Sequence, residues 1–293
     1  MDRLKVLKTY KIYIGGKFPR TESGRFYTPK NAKGELIGNI CLSSRKDVRN
    51  AVVAARNAFG GWSERAAFNR GQILYRIAEM LEGRKSQFIE EIVFQGATKA
   101  KAQAEVELAI DRLIYYSGWC DKFSQIQGSV NPVASSHFNF SVSEPMGVVG
   151  ILADESTSLI GLVSSIAPVI ASGNSCVVLA SESLPLAAVT FSEVLNSSDV
   201  PGGVINILTG NHAEMTKPMA SHMDVNAIVY SGSDAELITS LREMSVLNLK
   251  RIRMYSNDWM KAESQGMHFI TDCTEIKTTW HPIENIGGAT SSY

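Results

Sequence analysis

The chain reads as an α/β protein with a parallel sheet covered on both faces. Two observations point there. From Gly147 onward, apolar runs at 147–152, 176–180, 203–208, 226–231 and 250–255 alternate with stretches of helical spacing. Such alternation implies right-handed crossovers, and these make a parallel sheet. The runs are also continuous rather than alternating, as in Gly147-Val148-Val149-Gly150-Ile151-Leu152. A strand buried on both faces reads that way.

The elements follow in order. Tyr10 to Ile14 is a short strand, with Gly15-Gly16 as a turn. Ser44-Arg45-Lys46-Asp47 opens a helix, a serine cap with a carboxylate three residues on. Val48, Val52, Ala55 and Phe59 then recur at helical spacing. Ile73, Leu74, Ile77 and Leu81 mark a second helix. Phe88, Ile89, Ile92 and Val93 mark a third, stopped near Gly96. Residues 100–120 make a fourth, with Val106, Ile110 and Leu113 inward. These stripes are core packing. At 137–144 the period falls to two: Phe138, Phe140 and Val142 alternate with Asn139, Ser141 and Ser143. That is a strand with one apolar face, and Pro145 ends its pairing. In the α/β region, helices are expected at about 159–171, from Pro185, near 212–220 and at 234–244. A last strand is expected at about 269–281. The Gly- and Ser-containing stretch Glu284–Tyr293 reads as a disordered tail.

Composition narrows the function. The 293 residues include 44% hydrophobic and 20% charged positions, enough for a sizeable core. Twenty-nine basic and 29 acidic residues give a formal net charge of zero, so bulk electrostatics favours no nucleic acid partner. Cys41, Cys120, Cys176 and Cys273 are far apart and form no CxxC pair, which fits a reducing cytoplasm better than a disulfide framework. His137, His212, His222, His268 and His281 lack ligand spacing, so no metal site is expected. No run reaches the ~18 apolar residues of a membrane span, and Met1–Lys8 lacks the apolar core of a signal peptide. A cytoplasmic location is expected.

Seven blocks add a sharper signal. They are Tyr13-Ile14-Gly15-Gly16-Lys17-Phe18; Asp47-Val48 through Ala58-Phe59, with Trp62; Tyr115-Tyr116-Ser117-Gly118-Trp119-Cys120-Asp121-Lys122; Glu144-Pro145-Met146-Gly147-Val148-Val149-Gly150; Ala171-Ser172-Gly173-Asn174; Pro201-Gly202-Gly203-Val204-Ile205-Asn206; and Asn248-Leu249-Lys250-Arg251. In this order they resemble the N-terminal half of an aldehyde dehydrogenase. Cys273-Thr274-Glu275-Ile276-Lys277-Thr278 resembles that family's extreme C-terminal strand. The resemblance implies a Rossmann-like cofactor domain over 1–258, including flap strand 137–144, and a returning flap strand within 259–283. It implies no catalytic domain. The whole resembles the shortened, inactive second unit of two-unit aldehyde dehydrogenases. Recovery of the terminal strand argues for an internal deletion.

Departures from the family pattern bear on chemistry. Family chemistry takes a cysteine nucleophile, a glutamate base and an asparagine amide over the oxyanion. The asparagine position holds Ser156, after Asp154 and Glu155. The glutamate position holds Tyr255. The nucleophile motif is absent. Cys273 lies among carboxylates that would raise its pKa. No catalytic residue is therefore assigned. For the cofactor, the family lysine position holds Leu179, while Glu182 remains. Gly232 and Ser233 keep the small turn at a helix start, followed by Asp234 and Glu236, which read as helix caps. Glu182, Gly232 and Ser233 are vestigial cofactor-binding residues, with NAD or NADP as the implied ligand and no cofactor as the expectation. The expected interface residues are Phe138, Phe140, Val142, Ile276 and Trp280. The expected partner is a full-length aldehyde dehydrogenase subunit or a second copy. Two other functions stay open: residual NAD-dependent aldehyde oxidation through Cys273, and nucleotide sensing.

Overall fold

A computed structural model describes residue 4, residues 8–31 and residues 33–283; the tail expected at 284–293 lies outside these. Three short strands, β1 (Thr9–Tyr10), β2 (Phe26–Tyr27) and β3 (Asn39–Cys41), form a small sheet in the order β1-β3-β2. The strand expected over residues 10–14 is shorter than that, because Tyr13 leaves β1 and pairs with Ile207 instead (N–O 2.9 and 2.8 Å). Gly15 and Gly16 turn at φ of 61° and 77°, conformations that suit glycine.

Four helices follow: α1 (Arg45–Ser63), α2 (Ala67–Gly83), α3 (Lys85–Phe94) and α4 (Lys99–Trp119). Ser44 caps α1, and the Asp47 carboxylate accepts from the Ser44 N–H at 2.8 Å, as the spacing predicts. Val106, Ile110 and Leu113 of α4 are buried. Two short elements then appear that periodicity did not reveal, α5 (Phe123–Gln127) and β4 (Ser129–Asn131), before β5 (His137–Pro145).

The α/β region comprises β6 (Val148–Leu152), α6 (Ile160–Ala171), β7 (Ser175–Leu179), α7 (Leu186–Asn196), β8 (Ile205–Leu208), α8 (His212–Ala220), β9 (Ala227–Ser231), α9 (Ala235–Val246) and β10 (Arg251–Tyr255). All four strand pairings are parallel, in the order β10-β9-β6-β7-β8. Both faces are covered, which is why the runs are continuously apolar. Val149 and Ile151 pack with α2, α4 and α6; Val148 and Leu152 pack with α1, α8 and α9. Each such side chain stabilises by about 1.5–3 kcal/mol on burial. Among the described residues, no helix is long and apolar enough to cross a membrane.

The last strand starts later than expected. Residues 267–271 form the short helix α10 (Met267–Thr271), and β11 runs Thr274–Pro282. The cause is tertiary. Phe269 is buried against Tyr255 and Trp259, with ring centroids 4.6 and 5.7 Å away. Residues 256–273 are all that joins β10 to the end of α10 and the start of β11. β11 pairs antiparallel with β5 over nine residues, from Thr274 opposite Pro145 to Pro282 opposite His137. With β4 they form a three-stranded flap in the order β11-β5-β4.

Candidate functional site

Strand order reverses at β6, which has β7 on one side and β9 on the other. Open α/β sheets bind ligands at the carboxyl ends of the strands at such a switch point. Here that crevice is walled by residues 154–157 after β6, residues 181–183 after β7, and the first turns of α8 and α9.

Internal carboxylates engage most of its donors. Glu155 lies across the turn after β7. It accepts from the Ser181 hydroxyl (2.7 Å), the Glu182 N–H (2.8 Å) and the Ser183 hydroxyl (2.8 Å). Glu182 caps α8, accepting from the His212 N–H (3.0 Å) and the Asn211 amide (3.1 Å). Asp234 caps α9, accepting from the N–H groups of Glu236 (3.0 Å) and Leu237 (3.1 Å). Carboxylates at helix N-termini are stabilised by the dipole. Gly232 lies under the Tyr230 ring: a Cβ there would sit 2.4 Å from the Tyr230 hydroxyl. Its own N–H donates to the Tyr255 carbonyl (3.0 Å). Leu179, where the resemblance expects a lysine, is buried in β7.

The expected departures in chemistry have structural counterparts. The Ser156 and Thr157 hydroxyls both donate to Asp154 Oδ2 at 2.7 Å, so Ser156 is turned onto a neighbouring acid. Burial, with Asp272 a lesser cause, raises the Tyr255 pKa, and the Tyr255 hydroxyl donates to Asp272 (2.9 Å). Cys273 is buried beneath the start of β11, and burial, followed by Asp272, pushes its thiol up to about 12. Cys120 is likewise pushed up to about 12, mainly by burial.

Sequence reasoning missed two polar anchors of this crevice. Glu105 of α4 is buried and accepts from the N–H groups of Ser158 (2.8 Å) and Leu159 (2.7 Å), capping α6. Gln95 binds the Ser158 hydroxyl (2.7 Å) and accepts from the Leu186 N–H (3.0 Å), tying α3 to the starts of α6 and α7. The available signal was a polar residue at an inward helical position. Its partner lies too far along the chain to be read.

The flap gathers the five expected interface residues into one sheet, but on opposite faces. The register sets Phe140 opposite Thr279 and Asn139 opposite Trp280. Opposed residues share a face. Phe138, Phe140 and Val142 therefore share one face, to which β4 adds Val130, opposite Phe140. Ile276 and Trp280 stand on the other, beside buried Asn139. Phe138 is 46% exposed, Ile276 61% and Trp280 57%.

Comparison with known proteins agrees with this architecture. The family model described as "Aldehyde dehydrogenase family" matches residues 18–254. The chain is 31% identical over 251 residues to DhaS of Bacillus subtilis (strain 168), which carries an aldehyde dehydrogenase assignment; the match covers 84% of this chain and 50% of that protein. It is 31% identical over 263 residues to the cytosolic 10-formyltetrahydrofolate dehydrogenase of Mus musculus, covering 87% of this chain and 29% of that one. The chain thus spans half or less of the length of these relatives. Among solved structures, PnpE from Pseudomonas sp. WBC-3 superposes with a TM-score of 0.80 at 29% identity, covering 84% of this chain and 50% of PnpE. PnpE has also been solved with nicotinamide adenine dinucleotide.

Proposed function

The chain belongs to the aldehyde dehydrogenase family, and from that premise we propose that it serves as a non-catalytic subunit. It assembles through its flap with an active aldehyde dehydrogenase or with a second copy of itself. One observation carries this reading. Among the described residues, the nine-residue strand β11 is paired along one side only, within a flap that exposes Phe138 on one face and Ile276 and Trp280 on the other. An open edge beside exposed apolar side chains is a template for another chain, and β-augmentation is the corresponding mode of recognition.

The non-catalytic part of the reading rests on the site. Ser156 and Tyr255 stand where the resemblance expects an amide and a base, the nucleophile motif is absent, and Cys273 is buried and protonated. The stretch 256–273 between β10 and β11 falls far below the ~50 residues at which domains begin, so no catalytic domain sits between them. The crevice residues do not fit a dinucleotide. Glu182 is engaged at the start of α8, Glu155 and Asp234 hold further donors and would repel its phosphates, and Tyr230 covers Gly232. The free, buried thiols suit a reducing cytoplasm, the location we assign.

Light scattering on the purified chain, alone and mixed with a full-length aldehyde dehydrogenase, tests assembly. The expected result is an oligomeric mass that collapses to the monomer in the double variant Phe138→Asp, Phe140→Asp. A mass unchanged by that substitution would overturn the reading.

A further inference from the structure

A second cleft, of about 620 Å3, lies between α1 and α8 and meets the crevice only at Ala213 and Glu214 in the first turn of α8. Its floor is apolar: Val48 from α1, Ala213 and Pro218 from α8, and Met223 just beyond. Its rim is cationic. Arg45 and Arg49 stand one turn apart on α1, and Lys217 lines the wall from α8.

Among the described residues, none of these three cations has a carboxylate partner. The neighbouring acids are already committed. Glu214, the one acid in the wall, pairs with Arg25 at 2.6 Å. Asp47 accepts from the Ser44 hydroxyl (2.9 Å) and the Glu22 N–H (3.0 Å), and Glu22 pairs with Lys46. Asp224 is outside the wall, where its N–H donates to His222 Nδ1 at 3.2 Å. That contact leaves the Nε2–H of a neutral His222 as a further donor on the wall. Burial lowers the His222 pKa; Lys250, Arg49 and Arg56 add to this and Asp224 opposes it.

Like charges four residues apart destabilise a helix, and Asp47, between Arg45 and Arg49 on α1, is already committed to the Ser44 and Glu22 donors. Guanidinium forks match phosphate oxygens bidentately. A concave site of this volume, with an apolar lining and a few convergent polar groups, suits a small organic molecule. The geometry points to a binding site for a phosphomonoester carried on an apolar body. The phosphate sits among Arg45, Arg49 and Lys217, and the body lies over Val48, Pro218 and Met223. The same chemistry is available from a free metabolite or from a phosphatidic acid headgroup. The site is independent of the assembly reading above.

Calorimetric titration of the full chain with phenyl phosphate tests it. The expected result is saturable binding at one site per chain, weakened at least tenfold in both Arg49→Gln and Lys217→Gln with an unchanged circular dichroism spectrum. Inorganic phosphate should bind at least tenfold more weakly, since it leaves the floor unused. Sedimentation with phosphatidylcholine vesicles, with and without phosphatidic acid, separates the sources. Phosphatidic-acid-dependent pelleting lost in Arg49→Gln assigns the lipid; phenyl phosphate binding without pelleting assigns a free ligand. Absence of both, or binding undiminished in the variants, would overturn the site. Equal affinity for inorganic phosphate would overturn the apolar body.

Discussion

Glu105 decides how α6 begins. Its carboxylate is buried, and its Oε1 satisfies the first N–H groups of a helix that has no side-chain cap of its own. Those groups would otherwise be buried without partners. Glu105→Ala should lower stability by about 1–3 kcal/mol, read as a lower urea midpoint. An unchanged midpoint would contradict the capping role. The cysteines give a second test at this scale. With its pKa at about 12, Cys273 holds roughly one thiolate in ten thousand at pH 8. The native protein should therefore leave Cys273 unmodified by Ellman's reagent, while the chain unfolded in denaturant titrates all four thiols. Rapid native modification of Cys273, mapped by mass spectrometry, would revive it as a nucleophile.

One side chain ties both strands of the flap's base to the sheet domain. Asn174 accepts from the Gly147 N–H (2.9 Å) ahead of β6 and donates to the Cys273 carbonyl (2.7 Å) at the foot of β11. Asn174→Ala should speed hydrogen exchange across 274–282 and leave β9 protected; equal protection of β11 in both proteins would refute this. The flap also shows what a sequence discloses. Alternation of Phe138, Phe140 and Val142 with polar residues marks β5, because one strand face is enough to set period two. Residues 129–131 are too few to show a period, so β4 stayed hidden. Residues 267–271 become helix because burial of Phe269 against Tyr255 and Trp259 outweighs local preference. The split of Phe138 and Trp280 onto opposite faces follows from register alone, which neither strand states by itself.

At the scale of the molecule, the carboxyl ends of a sheet with an ordinary switch point carry Glu155, Glu182 and Asp234, each accepting from nearby loop or helix-start donors. The strand-helix alternation was legible, since strands buried on both faces are apolar throughout. The crevice was legible only in part. Asp234 and Glu236 stand at a helix start, so capping could be read locally, and Asp234 supplies it. The placement of Glu155 across residues 181–183 depends on two loops brought together by β6–β7 pairing. Titration calorimetry with NAD and with NADP should accordingly give no saturable heat. Micromolar binding of either would contradict the occupied crevice and favour a nucleotide sensor.

Assembly through the flap is the central claim, and it is tested most directly in the cell that makes the protein. The chain, tagged and isolated gently, should come down in stoichiometric complex with a full-length aldehyde dehydrogenase or with further copies of itself, and intact-mass measurement would give the ratio. Recovery of the monomer alone, from wild type and from the Phe138→Asp, Phe140→Asp variant alike, would contradict it.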